Sequence, residues 1–227
     1  MELYGTTSEH FGHVAKTVRD HACLNPQAVM QKSYTIEEHQ ASRYIAEPLH
    51  LLDYCLINDG AVAIIMTRAD RAKDLKKPPV YISGFARNDT YANSSIYGPM
   101  DDLWYNGLQD VSSRIYSNAG IAQDEVDGLM IYDNFSPTIV FSLEGMGICP
   151  KGEGGPFAAD GNLKLGSRWP TNTNGGHLSE SYMQGWGLLA ESVRQCRHEC
   201  GERQIENVNA IQYIGATPIS SSIIFRR

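Results

Sequence analysis

The stretch Thr171-Asn-Thr-Asn-Gly-Gly-His-Leu-Ser-Glu-Ser-Tyr-Met-Gln-Gly-Trp-Gly187 opens as a polar loop and closes as a helix. Gly175 and Gly176 let the backbone turn sharply and approach a ligand closely. From Ser179 onward the pattern becomes helical. Tyr182, Trp186, Leu189, Val193 and Cys196 recur at three- and four-residue steps and would share one face of a helix over 179–200. Ser179 reads as its N-cap and Gly201 as its C-terminal stop. A Gly-Gly loop feeding a helix start gathers free N–H groups and a positive dipole end, a setting for an anion or an oxyanion. Tyr182 would stand in the first turn with its hydroxyl facing the same space. Glycine loops before helices are common and a tyrosine on an apolar stripe more often packs, so the rest of the chain has to decide.

The 227 residues are 42% hydrophobic and 20% charged, enough for a substantial core in one large domain or two small ones. A net charge of −7 argues against a nucleic-acid surface. The densest cationic cluster, Lys73-Asp-Leu-Lys76-Lys77, reads as a solvated linker. No apolar run reaches the roughly 18 residues of a membrane span, and Met1-Glu-Leu-Tyr-Gly5 does not read as a signal peptide. Cys23, Cys55, Cys149, Cys196 and Cys200 lack a disulfide-scaffold spacing, so free thiols in a reducing cytoplasm are expected. His10 and His13 on one helix, and Cys196-Arg-His-Glu-Cys200, both fall short of a full ligand set, and no metal site is expected.

Along the chain, residues 6–23 read as a helix capped by Thr7 or Ser8, with Phe11, Val14, Ala15, Val18 and Ala22 on its apolar side. Thr35-Ile-Glu-Glu38 is a capping box opening a short helix. Ala61-Val-Ala-Ile-Ile-Met-Thr67, after the Asp59-Gly60 turn, reads as a strand buried on both faces, followed by a polar helix to Leu75. Lys76-Lys-Pro-Pro79 is the best domain boundary. Strands are expected at 80–86, 129–132, 208–214 and 220–225, helices at 101–118 and 138–146, and a loop at 88–99. Asp133-Asn-Phe-Ser136 then stands at the C-terminal end of a strand, where α/β sheets place functional residues. The alternation makes the class α/β. The 61–67 strand, however, wants neighbours on both sides, and almost nothing before it is strand-like. Its sheet is missing.

Tyr4-Gly-Thr-Thr, Asn25-Pro-Gln-Ala, Ser42-Arg-Tyr-Ile-Ala-Glu-Pro-Leu49, Asp59-Gly-Ala-Val-Ala63, Tyr132-Asp-Asn-Phe-Ser136, Leu143-Glu-Gly-Met-Gly147, Gly152-Glu-Gly-Gly155 and Asn172-Thr-Asn-Gly-Gly-His-Leu-Ser-Glu-Ser-Tyr182 run in order across nearly the whole chain. As a set they resemble the C-terminal part of thiolase-superfamily proteins, in the branch of sterol-carrier-type thiolases and lipid-transfer-like proteins. The resemblance implies a thiolase-like α/β fold, the C-terminal half of a mixed five-layer αβαβα architecture whose N-terminal half lies elsewhere. It divides the chain into a loop-domain remnant with helices (1–58), the last strand and helix of the N-terminal domain (59–77) and a C-terminal domain (78–227).

Departures from the family pattern carry the functional reading. Where thiolases have the histidine of a Gly-His-Pro motif, counting from the Asn-Gly-Gly core gives Tyr182. Where they have Asn-Glu-Ala-Phe or His-Asp-Cys-Phe, this chain has Tyr132-Asp133-Asn134-Phe135. The late acid/base cysteine is replaced in Gln212-Tyr-Ile-Gly-Ala216, and the nucleophilic cysteine belongs to the N-terminal half. A Claisen thiolase needs that thiolate to hold its acyl group. The tyrosine pair instead resembles the retro-aldolase branch that shortens steroid side chains and works with a small partner of OB-fold and zinc-ribbon type.

The resemblance therefore implies Tyr132 and Tyr182 as an acid/base pair, with Asp133, Gly175, Gly176 and His177 as substrate-binding or oxyanion groups. It implies an acyl-CoA thioester as substrate, no covalently bound cofactor, and a further chain supplying the N-terminal half, this chain being either one subunit of a split enzyme or a fragment. For His177 a hydrogen bond shaping the loop ranks ahead of direct chemistry. Rival readings are a Claisen-type acyltransferase subunit with its thiol on a partner, and a non-catalytic lipid- or acyl-CoA-binding protein.

Overall fold

The computed structural model describes residues 1–89, 103–216 and 219–227. The loop expected at 88–99 therefore lies mostly outside the described residues.

Helix α1 (Ser8–Cys23) is capped by Thr7, whose hydroxyl accepts from the His10 N–H while His10 Nδ1 accepts from the Thr7 N–H at 3.2 Å. The expected stripe of Phe11, Val14, Ala15, Val18 and Ala22 is buried. Helix α2 (Ile36–Ala41) opens on the expected capping box of Thr35 and Glu38. A small hairpin of β1 (Tyr44–Ala46) and β2 (Leu49–His50) follows. This N-terminal region is pinned by buried Asp53, which accepts from Ser136 Oγ at 2.5 Å and pairs with His39 Nε2 at 3.0 Å.

Residues 61–67 correct the sequence reading. They form no strand; Ile65 and Met66 are 93% and 77% exposed, and only the one-turn α3 (Ala69–Ala72) follows. The β-branched run is suited to a sheet, but a strand exists only where a neighbour accepts and donates its ladder hydrogen bonds. Among the described residues none does so.

The main sheet has the order β3-β6-β5-β4, built from β3 (Tyr81–Asn88), β4 (Gly128–Ile131), β5 (Ala210–Ala216) and β6 (Ser220–Arg226). β4 and β5 run parallel; β5–β6 and β6–β3 are antiparallel. Side chains alternate as the pleat requires. Leu129, Ile131 and Ile214 join the core beneath α4 (Leu103–Ala119) and α5 (Ser136–Gly145). Met130, Ile211 and Tyr213 face the smaller core beneath α7 (Trp186–Cys196). On the larger core, α6 (Gly154–Ala159) packs on α1 and α5.

The central helix also differs from its reading. It begins at Trp186, not Ser179, and its buried side is Leu188, Glu191, Ser192, Gln195 and Cys196, while Trp186 is exposed. The cause is a buried polar network. Glu191 accepts from Thr173 Oγ1 and pairs with Arg203, and Gln195 donates to Thr173 Oγ1 and the Arg203 carbonyl. Polar residues that find such partners can face inward, so the buried face is wider than the apolar stripe: Leu189, Val193 and Cys196 pack on the smaller core as expected, with the polar residues buried beside them.

Candidate functional site

The site forms at the C-terminal ends of β4 and β5, where parallel strands deliver their next residues outward. Tyr132 is the residue after β4, and its N–H still donates to the Ile214 carbonyl at 2.8 Å, extending the parallel ladder. The chain then turns through Asp133 and Asn134 into α5. On the other side, residues 172–176 lead into a π-helical turn, Gly176–Glu180, then an irregular link carrying Tyr182, then α7.

The hydroxyls of Tyr132 and Tyr182 lie 2.8 Å apart, and Tyr132 Oη also donates to Gln184 Oε1 at 3.2 Å. His177 stands edge-on to both rings, with centroids 4.6 Å from Tyr132 and 5.1 Å from Tyr182. The two phenols that the resemblance singled out thus share one place. Tyr182 does not sit in a helical turn as expected; its N–H donates instead to Asn58 Oδ1 at 2.8 Å. Burial, then the neighbouring Tyr182, pushes the Tyr132 phenol well above its ordinary range, so Tyr132 is held protonated.

The anion expected at the helix start is the protein's own Asp133. Its buried carboxylate accepts from the His177 N–H at 2.9 Å and the Leu178 N–H at 3.4 Å. Gly185 N–H donates to His177 Nε2 at 2.8 Å, and on the other side of the ring Nδ1 lies 3.3 Å from the Asp133 backbone N–H, which donates to it, and 3.1 Å from Asp133 Oδ1. Both ring nitrogens are therefore engaged, and His177 shapes the loop. The Gly175 and Gly176 amides are likewise taken, by the Asn172 carbonyl at 2.9 Å and Asn174 Oδ1 at 3.1 Å. This corrects their reading as open oxyanion donors: the loop uses them to hold its own bend. Gly176, at φ +54°, has no room for a Cβ because the Asp133 carboxylate fills that space. Ser179 does not cap a helix either; its hydroxyl accepts from Arg19 Nε of α1 at 2.7 Å.

A strap from residues 54 to 60 crosses the front of the site. Cys55 N–H donates to the Asn134 carbonyl and Leu56 N–H to the His177 carbonyl. Beyond it opens a cavity of about 670 Å³ lined by residues 58–64 with Tyr182, Met183, Gln184 and Trp186. A smaller cavity of about 320 Å³, lined by Asp127, Asn209 and Arg226, lies at the opposite end of the sheet and away from the tyrosines.

All five cysteines are free. Burial raises Cys55 and pushes Cys149 and Cys196 up to about 12, so none of these three offers a thiolate near neutrality. Among the described residues, no three His, Cys, Asp or Glu side chains gather as a metal site, and no helix is long and apolar enough to cross a membrane. Asn58, Gln184 and Tyr213 belong to this neighbourhood without having been legible in the sequence. Gln184 and Tyr213 fall in stretches that the sequence singled out, but only the fold brings these side chains beside the tyrosine pair.

Residues 90–224 match the family described as thiolase C-terminal domain-like, and the chain belongs to that family. Over 202 residues it is 46% identical to the 17-hydroxy-3-oxo-4-pregnene-20-carboxyl-CoA lyase of Mycobacterium tuberculosis, covering 87% of this chain and 52% of that one. It is 38% identical over 229 residues to the steroid side-chain-cleaving aldolase of Thermomonospora curvata, covering 99% and 58%. The solved structure of the Ltp2-ChsH2(DUF35) aldolase superposes with a TM-score of 0.90 at 36% identity, covering 100% of this chain and 60% of that one. The chain therefore spans little more than half the length of each relative.

Proposed function

We propose that this chain is the C-terminal half of a thiolase-like aldolase that cleaves a β-hydroxyacyl-CoA, of a steroid side chain, into a ketone or aldehyde and a shorter acyl-CoA. The observation that carries the reading is the 2.8 Å contact between Tyr132 and Tyr182 hydroxyls, together with the lyase and aldolase names of its relatives. Cleavage needs a base for the β-hydroxyl proton and an acid for the α-carbon. The Cα–Cβ bond breaks, its electron pair passes to the thioester as an enolate, the carbonyl product leaves, and the α-carbon takes up a proton. Tyr182 lines the cavity and takes the base role. Tyr132, held protonated behind it, takes the acid role. Asp133 and His177 position the loop that carries Tyr182.

The remaining half of the fold comes from a further chain or from the rest of a longer chain of which this is a part, with residues 59–77 contributing to the joint, and a small OB-fold and zinc-ribbon protein joins the assembly. A Claisen transfer would take its thiol from outside this chain, and the tyrosine pair favours cleavage over it. The test is to incubate the assembled enzyme with β-hydroxyacyl-CoA and follow products and protein mass. Ketone or aldehyde release without a covalent acyl-enzyme supports cleavage, whereas a thioester adduct on either chain supports transfer. Tyr132→Phe and Tyr182→Phe are each expected to lower kcat about 100-fold or more while melting within a few degrees of wild type. Activity within a few-fold of wild type in both variants removes the acid/base assignment.

A further inference from the structure

A third phenol stands at the same end of the sheet. Tyr213 lies on β5, paired in register with Met130 of β4. Two residues on, the same register sets Gly215 beside Tyr132, so Tyr132 and Tyr213 project from one face of the sheet. The Tyr213 ring leans toward the strand's C-terminal end, because a Cβ at Gly215 would fall 3.4 Å from its hydroxyl. A Cβ at Gly185 would fall 2.5 Å from that hydroxyl and 3.4 Å from Tyr132 Cδ2. The Tyr213 hydroxyl thus occupies the space beside Gly185, which has to be glycine to admit it next to the Tyr132 ring. Gly185 is also the residue whose N–H fixes His177, and it follows Gln184, the acceptor of Tyr132 Oη.

Among the described residues the Tyr213 hydroxyl makes no hydrogen bond, and it is not sealed away from solvent. Its O–H is therefore open to a partner from outside the chain, one strand from the tyrosine pair.

Resting on the aldolase reading above, the geometry points to Tyr213 as a substrate-contacting donor of the site, its O–H directed at the thioester oxygen on which negative charge grows as the carbon–carbon bond breaks. Burial and the Asp133 carboxylate push its phenol up to about 12, which keeps it a donor rather than a base. It transfers no proton; it bonds the enolate oxygen more strongly than the ground-state carbonyl, which is how a fixed donor lowers a barrier.

The test uses the assembled enzyme with Tyr213→Phe. Two rates are measured: cleavage of the β-hydroxyacyl-CoA, and exchange of the α-proton of the shorter acyl-CoA in D2O. Both are expected to fall about 10- to 100-fold, the cost of one such donor, with KM within about threefold because the bond strengthens only in the transition state. An active wild type matched within twofold by Tyr213→Phe overturns this assignment alone. A wild type that neither cleaves nor exchanges overturns the aldolase reading and this assignment with it. Should Tyr213→Phe melt much lower than wild type, 3-fluorotyrosine at 213 keeps the ring and strengthens the donor. An increase in kcat at pH 7 then supports the role, and an unchanged kcat overturns it.

Discussion

Glu180 closes the π-helical turn with its carboxyl buried, accepting from Asn174 Nδ2 at 2.5 Å. Burial, reinforced by the charge of Glu191, lifts it from 4.5 to about 7, against the smaller pull of Asn174, Arg194 and Asn25. The folded state therefore holds this proton more tightly than the unfolded chain does. As pH rises from about 4.5 to about 7, the unfolded chain gives up the proton first, and stability falls across that window and stays lower above it. Glu180→Gln removes the titration. Its melting temperature is expected to stay flatter than wild type between pH 5 and 7.5 and to exceed it at pH 8, by about 1–3 kcal/mol in stability. Parallel melting curves for the two proteins would show that Glu180 does not titrate in this window. In the sequence Glu180 stands as an ordinary acid between Ser179 and Ser181. Its burial against Asn174 and Gly187 depends on the loop fold, which no local pattern announces.

Among the elements, the turn at Gly176–Glu180 decides where Tyr182 stands. Its N–H groups bind Asp133 from the β4–α5 connection, so two loops remote in sequence are tied through one carboxylate. Gly176→Ala would set a Cβ into that carboxylate at a backbone angle that L side chains rarely adopt. A loss of about 1–3 kcal/mol is expected, with kcat falling further than the melting temperature alone accounts for, because Tyr182 is carried out of reach of Tyr132. A variant with normal stability and normal kcat would show that the turn does not hold the pair. How well elements were legible follows from what formed them. α1 and α2 were readable because caps and a 3.6-residue apolar period act locally. The helix after Tyr182 was legible in Leu189, Val193 and Cys196, which pack on the smaller core, but not in its later start or in the inward Glu191 and Gln195, whose polar network only the fold assembles. The tyrosine pair was legible through resemblance, since nothing in the spacing of residues 132 and 182 brings two hydroxyls together.

At the scale of the molecule, the run at 61–67 and the edge of the sheet belong to one problem. The run is rich in β-branched residues yet exposed, and Ile57 beside it is fully exposed. Phe85 on edge strand β3 is 70% exposed, directly across from Ile223 and on the face that α7 covers only farther along, at β4 and β5. An apolar surface of this kind marks a place where something packs, and the relatives carry nearly as much chain again beyond the part matched here. If a further chain supplies the rest of the fold, residues 61–67 gain ladder partners and become the strand that their composition favours. Ile65→Asp then puts a charge at the joint without touching the main sheet, α1 or the tyrosine pair. The expected outcome is a chain that keeps its far-UV circular dichroism but no longer co-purifies with the completing chain, read by native mass measurement. Wild-type hydrogen exchange in 61–67 should be fast for the chain alone and slow by at least about tenfold in the assembly, as backbone N–H groups pass from solvent to ladder bonds. Unchanged exchange on assembly, with Ile65→Asp assembling normally, would place the joint elsewhere on the surface.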